Sequence, residues 1–344
     1  MRPGPSIEVL KGGLATGFRV DVFRAGRVIA TDVPAVNVKL SVSGDRDVPE
    51  QLTYEAPVSW TPEAPLDPLN SFGQQSRVTW IGEQAGRRHE VELGFFTHGS
   101  KSNAGWQVSG DKVQVTAYGI LQLAADDEIA WPFSPRKGDR LRHTISQAVG
   151  LPVILDGVDD VVVSRTIQFG TSRTENLTGI CEAHSLGYAV QPDGYLHVWS
   201  LKDTRPDVTY TQPGMLLNYE AVGQPRRPNH FIGVGTGDKD KRFTAQGGFT
   251  DPPFDAGYGT VTERIEVSSG ASQRAVQNAV DERMRNRFIT TETRSVEIVP
   301  DPRLELGDIA NFRTAEGEFF TGRVTAYELS TESSERVDVE VLEW

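Results

Sequence analysis

The sequence predicts a mainly β protein with a small α+β insert, and three observations carry that expectation. Apolar and polar residues alternate with period two through roughly the first 130 residues and again through the last third, as in strands with one buried face. A helical spacing of three to four residues is confined to a middle stretch and one later segment. Gly (34) and Pro (20) are plentiful enough to supply the turns that many short strands need. At 344 residues the chain has room for two or three domains with apolar cores.

Near the start, Phe18, Val20 and Val22 alternate with Arg19, Asp21 and Phe23 until Ala25-Gly26-Arg27 breaks the run. Val36, Val38, Leu40 and Val42 alternate with Asn37, Lys39 and Ser41. Further strands are expected over 52–58, 77–82, 89–96 and 112–118, with Gln84-Ala85-Gly86 closing a hairpin between the second and third of these. Residues 61–75 hold three prolines and little apolar pattern, which reads as a long excursion loop. Strands so spaced, with no helical period between them, suggest a barrel or sandwich over 1–133.

The middle region, 134–210, reads as a small α+β domain. Leu141, Ile145 and Val149 recur every four residues, and Gly150 and Pro152 stop that helix. Ser172-Arg173-Thr174-Glu175 has the form of a capping box. Behind it Leu177, Ile180, Cys181 and His184 share one helical face, and Gly187 fits the position just past the helix end. Strands over 188–191 and 195–199 follow, joined by Pro192-Asp193-Gly194.

From 211 to 344 a second barrel with one helix is expected. Its strands are 230–234, 294–299, 309–313, 319–329 and 336–342, and its helix covers 272–288 with Val276, Val280, Met284 and Phe288 as the apolar stripe. Residues 237–259 are polar, Gly-rich and too long for an ordinary connection, so they read as a functional or mobile loop.

Catalytic signatures are missing from the pattern. The six histidines form neither H-E-x-x-H nor H-x-H, and the single cysteine, Cys181, excludes an internal disulfide or a multi-cysteine zinc site. Cys181 sits on an apolar stripe, where cysteine behaves as a small hydrophobe, and His184 reads as a core histidine beside it. Gly233-Val234-Gly235-Thr236-Gly237 lacks the sixth-position glycine of a dinucleotide fingerprint, because Asp238 stands there. The acids Asp126-Asp127-Glu128 and Asp159-Asp160 read as solvated turns. No cofactor or metal is expected. The net charge of −12 disfavours sequence-specific nucleic-acid binding, and no stretch approaches the length of a membrane span. The N-terminus, Met1-Arg2-Pro3-Gly4-Pro5, has no apolar run of the kind a secretory signal needs.

The order of several short motifs resembles a known family. The helix over 271–288 leads to Val299-Pro300-Asp301-Pro302, then Leu304-Glu305-Leu306-Gly307-Asp308-Ile309, a strand through Gly322-Arg323-Val324, and a final alternating strand. The run 176–188, followed by Asp193-Gly194-Tyr195-Leu196-His197-Val198, and the segment 113–121 fit the same pattern. Together they resemble the tail-hub, or baseplate hub, proteins of tailed bacteriophages, including hub-type minor tail proteins. That resemblance implies two tail-tube-like β-barrels flanking the insert. It also implies a homotrimer forming a pseudo-sixfold ring at the tail tip. The expected partners are the distal tail protein, the tail tube or tape-measure protein and other tip proteins, with DNA only in transit. On this reading Asp238, Lys239, Asp240, Lys241 and Arg242 form a loop facing a neighbouring subunit or the lumen. The alternatives are a receptor- or glycan-binding tip protein and a tail-associated peptidoglycan hydrolase. The six dispersed tryptophans speak against the first, and the missing catalytic constellation against the second.

Overall fold

The computed structural model describes residues 1–164, 167–220, 228–236, 241–251, 254–267, 272–287 and 293–342. Its contacts form two compact units, Met1–Glu220 with Ser295–Val339, and Ala221–Arg294 with Glu340–Trp344.

The elements of the first third are α1 (Ile7–Lys11), β1 (Ala15–Arg24), β2 (Arg27–Ala30), β3 (Val36–Ser43), β4 (Glu50–Pro57), β5 (Gln74–Gln84), β6 (Arg87–His98), β7 (Trp106–Ser109), β8 (Lys112–Gly119) and α2 (Leu121–Asp126). The middle supplies α3 (Leu141–Val149), β9 (Val153–Asp156), α4 (Arg173–His184), β10 (Leu186–Val190), β11 (Leu196–Ser200), β12 (Val208–Thr211) and β13 (Leu216–Glu220). After these come β14 (His230–Thr236), β15 (Arg242–Gly248), β16 (Thr262–Val267), α5 (Gln273–Arg287), β17 (Thr293–Ile298), β18 (Ile309–Arg313), β19 (Phe319–Ser330) and β20 (Glu335–Val341).

The alternating stretches fold as the sequence predicts. In β4 and β8 every second side chain is buried, and Leu52, Tyr54, Val113 and Val115 are almost wholly inaccessible. The β5–β6 hairpin turns at Ala85-Gly86. The expected pair of barrels is corrected: among the described residues no sheet closes on itself. Strands of the first and last thirds, with β12 and β13 from the middle, share one open 14-stranded sheet in the order β13-β17-β20-β19-β3-β4-β8-β6-β5-β1-β2, with β18 on β19, β12 on β18 and β7 on β8. The decisive join is β19 against β3, antiparallel, with Leu329 opposite Leu40. Alternation marks which face of a strand is buried but carries no information about its partner.

The insert packs α3 and α4 on the three-stranded sheet β10-β11-β9 around Leu141, Ile145, Leu177, Ile180, Cys181 and Val198. Ser172 caps α4 by accepting the Glu175 amide on its hydroxyl at 3.3 Å. The residue past the helix end is Ser185, in the left-handed region at φ 56°, whereas Gly187 lies within β10. His184 is half-buried, not a core residue. The strand β9, parallel to β11, was not expected.

In the second unit β15, β14 and β16 form a sheet whose core with α5 is Phe231, Ala245, Val276 and Val280. The loop expected over 237–259 is thereby corrected in part: β15 pairs antiparallel with β14 along its whole length. Its inward residues, Phe243, Ala245 and Gly247, offer only two apolar side chains, too few to stand out as a strand.

Candidate assembly surfaces

Of the five residues expected in an exposed loop, Asp238, Lys239 and Asp240 lie outside the described residues. Arg242 opens β15 opposite Thr236, and the Lys241 ammonium lies 5.1 Å from the centre of the Phe243 ring. These two cations therefore belong to the end of a hairpin. The neighbouring Gly233 has a packing role: a Cβ there would come within 2.7 Å of Val280 on α5. Of the glycines that invite a phosphate-loop reading, Gly233 lets a helix approach the strand.

The other singled-out groups are engaged in the fold. Cys181 is buried, and burial, with Glu182 nearby, pushes its thiol up to about 12. Asp127 pairs with Arg173 at 2.8 Å, Glu128 with Lys101 at 2.7 Å, and Asp160 accepts the Arg142 amide at 2.9 Å. His98 ends a buried chain in which Tyr54 and Ser76 are 3.0 Å apart and Ser76 and the His98 Nε2 are 2.7 Å apart. His98 Nδ1 lies 3.0 Å from the Asn70 carbonyl. A carbonyl only accepts, so Nδ1 carries the proton, Ser76 donates to Nε2, and Tyr54 donates to Ser76. Burial holds this imidazole down at about 4. Among the described residues no group of three or more His, Cys, Asp or Glu side chains is placed to hold a metal, and no helix is long and apolar enough to cross a membrane.

The Leu304-Glu305-Leu306-Gly307-Asp308 step proves to be a junction. Gly307 has φ 86°, and a side chain there would run into the Trp199 indole, which also lies against Gly187. Arg323 on β19 donates to the carbonyls of Leu201 and Asp203 at 2.8 and 2.7 Å, fastening the chain leaving β11 to the large sheet. Arg2 donates to the Leu304 carbonyl at 2.8 Å and lies 3.4 Å from the Glu305 carboxylate. Beneath it, Asp301 accepts from Tyr210 at 3.0 Å and from Arg303 at 2.6 Å. The adjoining cleft of about 600 Å³ is lined by His197, Asp156, Asp203, Arg205, Asp207 and Glu305, among others. His197 spans Asp156 (2.8 Å) and Asp193 (3.0 Å). Partial burial pulls its imidazole down, but the hydrogen bonds to Asp193 and Asp156 prevail and hold it above the ordinary histidine value.

The large sheet leaves edge strands open, and which strands these are is not readable from the sequence. The strand path ends at β2 on one side and β13 on the other. Val28 (51%) and Ile29 (39%) are exposed on β2, and Leu217 (41%) on β13. Phe72, exposed in the loop before β5, extends the apolar character near β2, where Arg24 donates to the Phe72 carbonyl at 3.0 Å. Open edges with apolar residues invite strand pairing with another chain.

This architecture is the fold of phage and prophage tail proteins. The chain is similar to a tail protein from Neisseria meningitidis with a TM-score of 0.63 at 12% identity, over 95% of this chain and 97% of that one. It is similar to the 43 kDa tail protein of prophage MuSo2 from Shewanella oneidensis, with a TM-score of 0.61 at 12% identity, over 94% and 98% of the two chains. The prophage tail protein gp18 from Listeria monocytogenes gives a TM-score of 0.54 at 10% identity, over 94% of each chain. No protein-family model matches the sequence, and no curated protein matches it.

Proposed function

We propose that this protein is the structural hub subunit at the distal end of a phage tail. Three copies form a pseudo-sixfold ring that continues the tail tube and anchors tip proteins around the DNA channel. The observation that carries this reading is the likeness to tail proteins over nearly the full length of both chains. In a ring, the sheet that stays open within one copy is completed by its neighbours, so the tube-like β regions arise on assembly. The net charge of −12 suits a conduit past which DNA moves without adhering. The chain has no catalytic role of its own on this reading, and its partners are the distal tail protein, the tail tube or tape-measure protein and the tip proteins.

Native mass spectrometry of the purified chain, with localisation of a tagged copy in intact particles by electron microscopy, tests the reading. A trimer and a ring at the tail tip are expected. A chain that stays monomeric at all concentrations, or that is absent from particles, overturns it.

A further inference from the structure

The two ends of the main strand path in the large sheet differ in charge, and each carries the same irregularity. At β2, Arg24 and Arg27 stand beside the exposed Val28 and Ile29, and Arg27 forms no ion pair among the described residues. At β13 the rim is acidic. A groove of about 260 Å³ is lined there by Glu220, Glu297, Glu328, Glu332 and Arg336, among others. Glu328 is taken by Lys39 at 2.6 Å and Arg336 by Asp338 at 3.3 Å. Glu220, Glu297 and Glu332 form no ion pair among the described residues.

Both edge strands are bulged. The register of β2 on β1 shifts between Val28 and Ala30, leaving Ile29 as the extra residue. That of β13 on β17 shifts between Leu216 and Asn218, leaving Leu217. A bulge protects an edge from indiscriminate pairing, because a regular strand no longer matches its hydrogen-bond spacing. A partner with a bulge at the corresponding place still fits. Each of these rims offers that place to the other.

We infer that β2 of one copy pairs antiparallel with β13 of a second copy, setting Arg27 opposite Glu220 and Val28 opposite Tyr219, with the bulges at Ile29 and Leu217 one position apart. Two acidic rims repel each other, and two basic ones do likewise, so the contact runs head to tail. A head-to-tail contact uses a different surface on each side and generates a ring when its rotation closes. The inference rests on the ring reading and adds to it the strands that make the contact and the pairs that set its direction.

A disulfide test reads the contact directly. The full chain with Arg27→Cys and Glu220→Cys carries no competing accessible thiol, since Cys181 is buried. Mild oxidation followed by non-reducing gel electrophoresis should give covalent dimers and trimers that collapse to monomer on reduction, while either single variant gives no ladder. Val28→Cys with Tyr219→Cys serves as the neighbouring pair should the first disturb folding. In parallel, Arg27→Glu should weaken assembly roughly tenfold, and Arg27→Glu combined with Glu220→Arg should restore it. A wild-type ring in solution that neither cysteine pair can link overturns the inference and leaves the ring standing, with these rims assigned to another tail protein. A wild-type chain that is monomeric at every concentration overturns both.

Discussion

At Gly307 two requirements coincide: a left-handed backbone at φ 86° and contact with the Trp199 ring where a side chain would stand. Gly307→Ala should therefore cost about 3 kcal/mol, combining backbone strain with overpacking. Gly317→Ala, at φ 91° but with open space around it, should cost only about 1 kcal/mol. Denaturant unfolding of the two variants separates packing from strain; equal losses would remove Trp199 from the explanation. His98 makes a second residue-scale prediction. Its imidazole is held neutral in the fold down to about 4, whereas in the unfolded chain it binds a proton below 6.5. The unfolded state thus takes up the extra proton between those values, so stability falls as pH drops from 6.5 to about 4 and levels off below. The loss amounts to about 3 kcal/mol. His98→Gln should flatten this limb of the curve, and unfolding midpoints measured across that pH range would show it.

Among the elements, legibility followed the strength of the local pattern. The strands β3, β4 and β8 were readable because each sets at least three apolar side chains on one face. Short edge strands such as β2 and β7 were not, since four residues barely complete one alternation. β15 escaped because glycine occupies one of its inward positions. The α4 cap was legible to the residue, and Ser172→Ala should cost about 1 kcal/mol in thermal or denaturant unfolding. The candidate surface was less readable than the fold. Lys241 and Arg242 could be picked out by charge, but the opposed characters of β2 and β13 emerge only once the strand order is known. Trp199 and Gly307 are likewise more than a hundred residues apart, and nothing local to either announces their contact. α5 belongs to a small core of few residues, so Val280→Ala should cost about 3 kcal/mol. Hydrogen exchange should show that loss in β14, β15 and β16 while leaving β4 and β8 protected.

Over the whole molecule, the large sheet gathers strands from both ends of the sequence, and the β13–β17 pair shows how it tolerates what lies between them. Glu220 stands directly opposite Ser295 in that antiparallel register. The chain leaves the sheet and re-enters it at adjacent points, as it would in a two-residue turn, although everything from 221 to 294 intervenes. Such an excursion is a cassette: its length and content can change without altering the register of a strand on either side. Replacing 221–294 with Asn-Gly should leave a folded chain that retains the cooperative unfolding of β3, β4 and β8. In a lineage of tail proteins this is a place where new sequence can be accepted or exchanged while the scaffold around it stays the same.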